Sequence, residues 1–210
     1  MNCTEKVKFI LDMLDKCIPN PVVSLNYSNP FTFLIAVMLS AQCTDEKVNK
    51  VTKELFLYAD SPNDMMLLGE EEIERIIRPC GLYRAKSRAI KNMAEQLLEK
   101  HNGIVPSNFS DLEALPGVGH KTASVIMSQC FKIPAFPVDT HISRLARRWG
   151  LSDAKNVIGI ERDLKNIFPE NTWQRLHLQM ISYGRKYCPA RGHCIEKCVI
   201  CRKLIAEDKN

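Results

Sequence analysis

The sequence predicts an all-α fold of about ten helices with short connections. Apolar residues recur near the helical period along almost the whole chain, and no stretch alternates as a half-buried strand would. Proline, Asn-Gly and capping residues fall mostly between the periodic segments. Neither a low-complexity tract nor an internal repeat interrupts the pattern.

Val7, Ile10, Leu11, Leu14 and Ile18 form the first stripe. Phe31 to Leu39 is continuously apolar and long enough for a buried helix. Thr44-Asp45 reads as a cap before the stripe Val48, Val51, Leu55 and Phe56, and Ser61-Pro62 as a helix start. Ile73, Ile76 and Ile77 face one way until Pro79. Tyr83, Ile90, Met93 and Leu97 continue to Asn102-Gly103, a stop signal. Ser110 and Glu113 have capping-box spacing and predict a short helix from Asp111. A further helix starts near His120 and another after Asp139, with Ile142, Leu145 and Trp149 as its apolar face. Val157, Ile160, Glu161, Leu164 and Phe168 keep the period with one polar member, and Trp173, Leu176, Met180 and Tyr183 make the last clear stripe.

At 210 residues, 45% apolar and 25% charged, the chain has the composition of a soluble globular protein of one large or two small domains. The net charge of +5 permits a nucleic-acid partner without demanding one. It is uneven: the last thirty residues hold seven Lys/Arg against three Asp/Glu. The first residues read as an amphipathic helix and not as a signal peptide, and the uncharged run Pro21 to Thr44 is too broken to span a membrane. With no export signal in the pattern, the expected setting is intracellular, in the cytoplasm, with nine reduced cysteines. Cys3, Cys17, Cys43, Cys80 and Cys130 sit among apolar neighbours and read as small core residues. Cys188, Cys194, Cys198 and Cys201 are packed into fourteen residues and need a separate account.

The segment "LPGVGHKTA" carries the strongest chemical signal. Gly117 and Gly119 flank Val118 ahead of a helix, a turn that lets the backbone approach a ligand and presents N–H groups to an anion such as a nucleic-acid phosphate. A plain helix–turn–helix connection uses the same residues. Lys121 stands in the first turn of the helix, against the helix dipole, and a lysine so placed is a usable nucleophile toward a carbonyl-type carbon. Asp139 reads as a helix cap whose carboxylate accepts backbone N–H groups. Arg144, Arg147 and Arg148 lie off the apolar face and suit either solvent or phosphate.

Taken together, "NPFTFLIAVMLSAQCTDEKVNK", "GLYRAKSRAI", "HNGIVPSNFSDLEALPGVGHKTA", "VDTHISRLARR" and "YGRKYC" resemble, in order, blocks of the endonuclease III family of helix–hairpin–helix DNA glycosylases. The resemblance implies a six-helix lobe over 22–133, with the hairpin at about 108–131, and a second helical lobe from 1–21 plus 134–210. It implies Lys121 as catalytic amine and Asp139 as essential carboxylate. Gln42 and Leu82 match the gap filler and wedge of base flipping, and Gly117, Gly119, Thr122 and His141 complete the implied DNA contacts. The implied activity is removal of oxidised or ring-saturated pyrimidines from double-stranded DNA, with β-elimination at abasic sites, by a monomer that binds no membrane. A monofunctional glycosylase for another lesion, or a helix–hairpin–helix binding module without chemistry, is the alternative.

The same resemblance implies a 4Fe-4S cluster on Cys188, Cys194, Cys198 and Cys201. Family spacings are six, two and five residues; here they are five, three and two. If Cys198 and Cys201 stand for the family's close-set middle pair, its fourth cysteine is missing and Cys194 would have to swing in as a replacement ligand; a four-cysteine zinc site and free thiols are the alternatives.

Overall fold

The computed structural model describes residues 2–207. These residues contain twelve α-helices, a 3₁₀ turn at Glu170–Thr172 and no strand. In order, the first six are α1 (Cys3–Cys17), α2 (Pro30–Leu39), α3 (Asp45–Tyr58), α4 (Pro62–Leu68), α5 (Glu70–Ile77) and α6 (Tyr83–His101). Then come α7 (Phe109–Glu113), α8 (His120–Gln129), α9 (Thr140–Arg148), α10 (Val157–Ile167), α11 (Trp173–Lys186) and α12 (Val199–Glu207). The all-α expectation holds. The helix count exceeds ten partly because the chain after Cys198, expected as part of a cysteine-rich loop, coils into α12.

Two compact units emerge, one from Val23 to Ile133 and one joining the segment up to Val22 with the residues from Pro134 onward. The first is organised by α2. Every residue from Phe31 to Leu39 is buried, as a helix that is apolar all round requires, and α3, α6 and α8 pack against it. Asn29 starts it by accepting from the Thr32 N–H at 2.9 Å, while the Thr32 hydroxyl accepts from the Asn29 N–H at 3.0 Å. Thr44 and Ser61 cap α3 and α4 as expected. Asn102 and Gly103, both left-handed, end α6. The cap of α7 differs from expectation. Asn108, not Ser110, accepts the Asp111 N–H at 2.9 Å, and Glu113 turns to His120 instead of closing a capping box.

The second unit is built on Ile10 and Leu14 of α1, which contribute about 1.5–3 kcal/mol each by burial against the C-terminal helices. Trp149 and Tyr183 meet edge to face at a centroid distance of 5.7 Å. Gln179 of α11 ties back to α1 through Asp15 at 2.7 Å. Glu161, the polar member of its stripe, is buried and paired with Lys165 at 2.5 Å. Val157, expected on that stripe, is exposed because it stands at the first turn of α10.

Cys80 is buried, and Cys17, Cys43 and Cys130 are half-buried. Burial pushes the Cys80 and Cys130 thiols up to about 11, which leaves them protonated and unreactive at neutral pH. The side chain of Cys3 lies outside the described residues. No described helix is long and apolar enough to cross a membrane.

Candidate functional site

The hairpin between α7 and α8 is braced from within. His120 Nδ1 meets Glu113 Oε1 at 2.6 Å, and its ring stacks on Phe109. Leu115 and Val118 are buried and anchor the turn. The two glycines differ in role. Gly117 has φ +78°, and a Cβ there would stand 2.7 Å from Met38 Cε and 3.0 Å from Ala89 Cβ. Gly119 begins α8 with no side chain capping the helix, and a Cβ there would meet nothing within 4 Å. Gly117 thus lets the turn pack on α2 and α6, while Gly119 leaves the backbone open on its outer side. Lys121 is exposed in the first turn that follows, beside the half-buried Thr122. Gly117→Ala is expected to cost about 2–4 kcal/mol in denaturant unfolding, from left-handed strain plus overlap. Gly119→Ala should cost less than about 1 kcal/mol, since its φ of −96° and open surroundings suit alanine and only glycine's cap preference is lost.

Gln42 and Leu82 share an unusual backbone. Both are non-glycine residues in the left-handed region, at φ 56° and 59°, and both are exposed. Their loops adjoin: a Cβ on Gly81 would lie 3.7 Å from the Gln42 carbonyl oxygen. Sequence reasoning missed what holds them. Lys86, in the first turn of α6, is buried, and its ammonium donates to the carbonyls of Leu39 at 2.9 Å and Ala41 at 2.7 Å. It joins the chain leading into Gln42 to the helix that follows Leu82. Burial pulls the Lys86 ammonium below its ordinary value, and the two carbonyls offset part of that cost.

Asp139 caps α9, its Oδ1 accepting from the Ile142 N–H at 2.8 Å. The second carboxylate oxygen takes no part in this cap. Two residues on, His141 Nδ1 faces Arg144 Nη2 at 3.0 Å. Because a guanidinium only donates, Nδ1 is the acceptor and Nε2 carries the ring proton. The arginines of α9 answer the solvent-or-phosphate question in a third way. Arg144 donates to the carbonyls of Gly184 and Cys188 at 2.9 and 3.1 Å. Arg148 donates to the Pro189 carbonyl at 2.7 Å and the Cys188 sulfur at 3.2 Å. Arg147 turns to the carbonyls of Ala154 and Lys155. Gly184 makes the α9–α11 approach possible, since a Cβ there would meet Arg144 Nη2 at 3.2 Å and His141 Cβ at 3.3 Å.

The C-terminal thiols converge, but not as the resemblance implied. The sulfurs of Cys188, Cys198 and Cys201 and a ring nitrogen of His193 all lie within 4.8 Å of one another. Cys194 is not in this group; its thiol donates to Glu196 Oε2 at 3.0 Å. The turn at 194–198 places Cys194 on its outer side, with the Cys198 N–H donating to the Cys194 carbonyl at 3.1 Å. The three clustered thiols share protons unevenly. Hydrogen bonds from Cys188, then Cys201, hold Cys198 well below the usual thiol range, while hydrogen bonds with Cys188, then Cys198, push Cys201 up. The Tyr183 hydroxyl also lies 3.4 Å from the Cys198 sulfur. This donor set is consistent with a metal centre.

A glycine hairpin carrying an exposed lysine, with an aspartate-capped helix downstream, falls within a known class. The profile described as "HhH-GPD superfamily base excision DNA repair protein" matches residues 35–170. Endonuclease III of Bacillus subtilis (strain 168) is 37% identical over 98% of this chain and 95% of its own. A non-covalent endonuclease III–DNA complex superposes with a TM-score of 0.92 at 40% identity, covering all of both chains. A trapped endonuclease III–DNA covalent intermediate gives 0.89 at 40% identity, over 98% of this chain and all of that one. The chain belongs to the endonuclease III family of this superfamily.

Proposed function

We propose that the chain is a bifunctional DNA N-glycosylase and abasic-site lyase, with Lys121 as nucleophile and Asp139 as its carboxylate partner. The observation that carries this is the exposed Lys121 amine at the start of α8, next to a turn that no side chain caps. It gains support from the family's trapped covalent DNA intermediate. The Lys121 amine attacks C1′ of the damaged nucleotide and the base leaves. Asp139 assists deprotonation of the amine and stabilises positive charge on the sugar. The resulting imine acidifies the 2′ proton, and β-elimination breaks the strand on the 3′ side.

Chemistry at C1′ requires the base out of the stack. Leu82 is the wedge, Gln42 fills the vacated space, and the hairpin at Gly117, Gly119 and Thr122 holds the backbone with His141. Oxidised or ring-saturated pyrimidines and abasic sites are the substrates. The reaction belongs inside the cell, where the thiols stay reduced. The metal centre, a 4Fe-4S cluster or a single ion, takes no part in these steps. Bound there, it would pin the basic loop, with Arg191 and Lys197 in it and Arg185 and Lys186 at the end of α11 nearby, against the DNA backbone.

Borohydride trapping on abasic and oxidised-pyrimidine duplexes tests the proposal. Wild type is expected to give a covalent adduct and Lys121→Ala none. An equal yield from Lys121→Ala would remove the lysine from the chemistry. Base release without any adduct would favour the monofunctional reading.

A further inference from the structure

We propose that the C-terminal cluster is a Cys3His site for one zinc ion, with His193 as fourth ligand and Cys194 outside the site. The geometry discriminates by size. A zinc–sulfur bond of about 2.3 Å in a tetrahedron sets neighbouring sulfurs about 3.8 Å apart. The Cys188 and Cys201 sulfurs are 3.7 Å apart. A four-iron core places eight atoms of its own between its thiolates and holds them well beyond that separation. Four donors all within 4.8 Å of one another leave room for a single ion. The family's cluster does not fit this arrangement.

The donor types agree with the spacing. Iron–sulfur cubanes are held by four thiolates, whereas three thiolates and an imidazole are a common closed zinc set. His193 Nε2 is buried without a well-formed hydrogen bond, while the His193 ring contacts Cys198, as two ligands of one ion would. Cys194, the only other thiol in the loop, is engaged by an exposed carboxylate two residues away. The surroundings are those of a structural zinc. Cys188, Cys198 and Cys201 are essentially inaccessible to solvent. Arg148 donates to one ligand sulfur, and the Tyr183 hydroxyl lies beside another, as partners that orient thiolates do. All four positions are supplied by the protein, so the ion has no open site for substrate.

The test is metal and sulfide analysis of the full chain purified anaerobically, with visible absorption, for wild type, His193→Ala, His193→Cys and Cys194→Ser. Wild type should carry about one zinc per chain and be colourless. Cys194→Ser should keep full occupancy. His193→Ala should bind zinc more weakly by more than the roughly 10–100-fold that loss of an outer partner costs, and His193→Cys should restore it. Cobalt(II) in place of zinc should show a spectrum of three thiolates and one nitrogen, unchanged by Cys194→Ser. A brown protein with about four irons and matching sulfide, or metal loss from Cys194→Ser instead of His193→Ala, would overturn the assignment.

Discussion

Asp139→Asn is expected to leave the protein as stable as wild type while lowering single-turnover base release by about 10²–10⁴-fold, the usual range for losing a positioned acid or base. The two halves of this result separate two roles of one side chain. As a cap, Asp139 gives one oxygen to the Ile142 N–H, and the amide oxygen of asparagine can accept the same bond. As a chemical group, the carboxylate brings a negative charge and a proton acceptor, and asparagine has neither. Asp139→Ala should lose both and cost a further 0.5–2 kcal/mol or so of stability. Denaturant unfolding and single-turnover kinetics on one lesion duplex read the two roles independently. Full activity in Asp139→Asn would make the residue only a cap.

Lys86→Met should be costly although no DNA contact is assigned to this lysine. The two carbonyls it serves lie on the chain entering Gln42, and the lysine itself stands in the helix opened by Leu82. Methionine keeps the unbranched stem, one atom shorter, and removes the donors. Bonds from a charged group contribute about 1.5–3 kcal/mol each, so unfolding should be easier by at least that amount. The functional loss follows from geometry. Left-handed Gln42 and Leu82 hold an unfavourable backbone that their surroundings must enforce. Once the loops relax by about 1 Å, lesion processing should fall up to 10²-fold. Affinity for undamaged duplex should fall much less, because that binding needs no flipped base. Equal losses in both measurements would mean general unfolding.

The helices and most of their boundaries were legible because burial imposes the 3.6 period directly. The uniformly apolar α2 and the caps at Thr44, Ser61 and Asp139 could be read residue by residue. What escaped depends on where a side chain turns once the chain is folded. Nothing in "GLYRAKSRAI" marks Lys86 as buried, since a lysine in a polar run reads as solvated. Helical spacing put Arg144 and Arg148 on a polar face but could not show a loop returning some forty residues later to meet them. Between the adjacent His193 and Cys194, spacing gives no reason to favour either, and composition favours the thiol. The turn decides it, by placing one inside and one outside. Asn108 does not stand out in the sequence because Ser110 and Glu113 offer an equally good cap two residues on.

The grip of Arg144 and Arg148 on Gly184, Cys188, Pro189 and Ala190 has an evolutionary consequence. Apart from one sulfur and one imidazole nitrogen, the two guanidinium groups hold carbonyl oxygens, which every amino acid supplies. At Pro189 and Ala190 a clamp of this kind is indifferent to the side chains it passes. Insertions, deletions and exchanges in the following loop can accumulate while its root stays moored. A lineage can therefore shuffle the order of its cysteines, or recruit a histidine beside them, without first losing the fold that makes the experiment survivable.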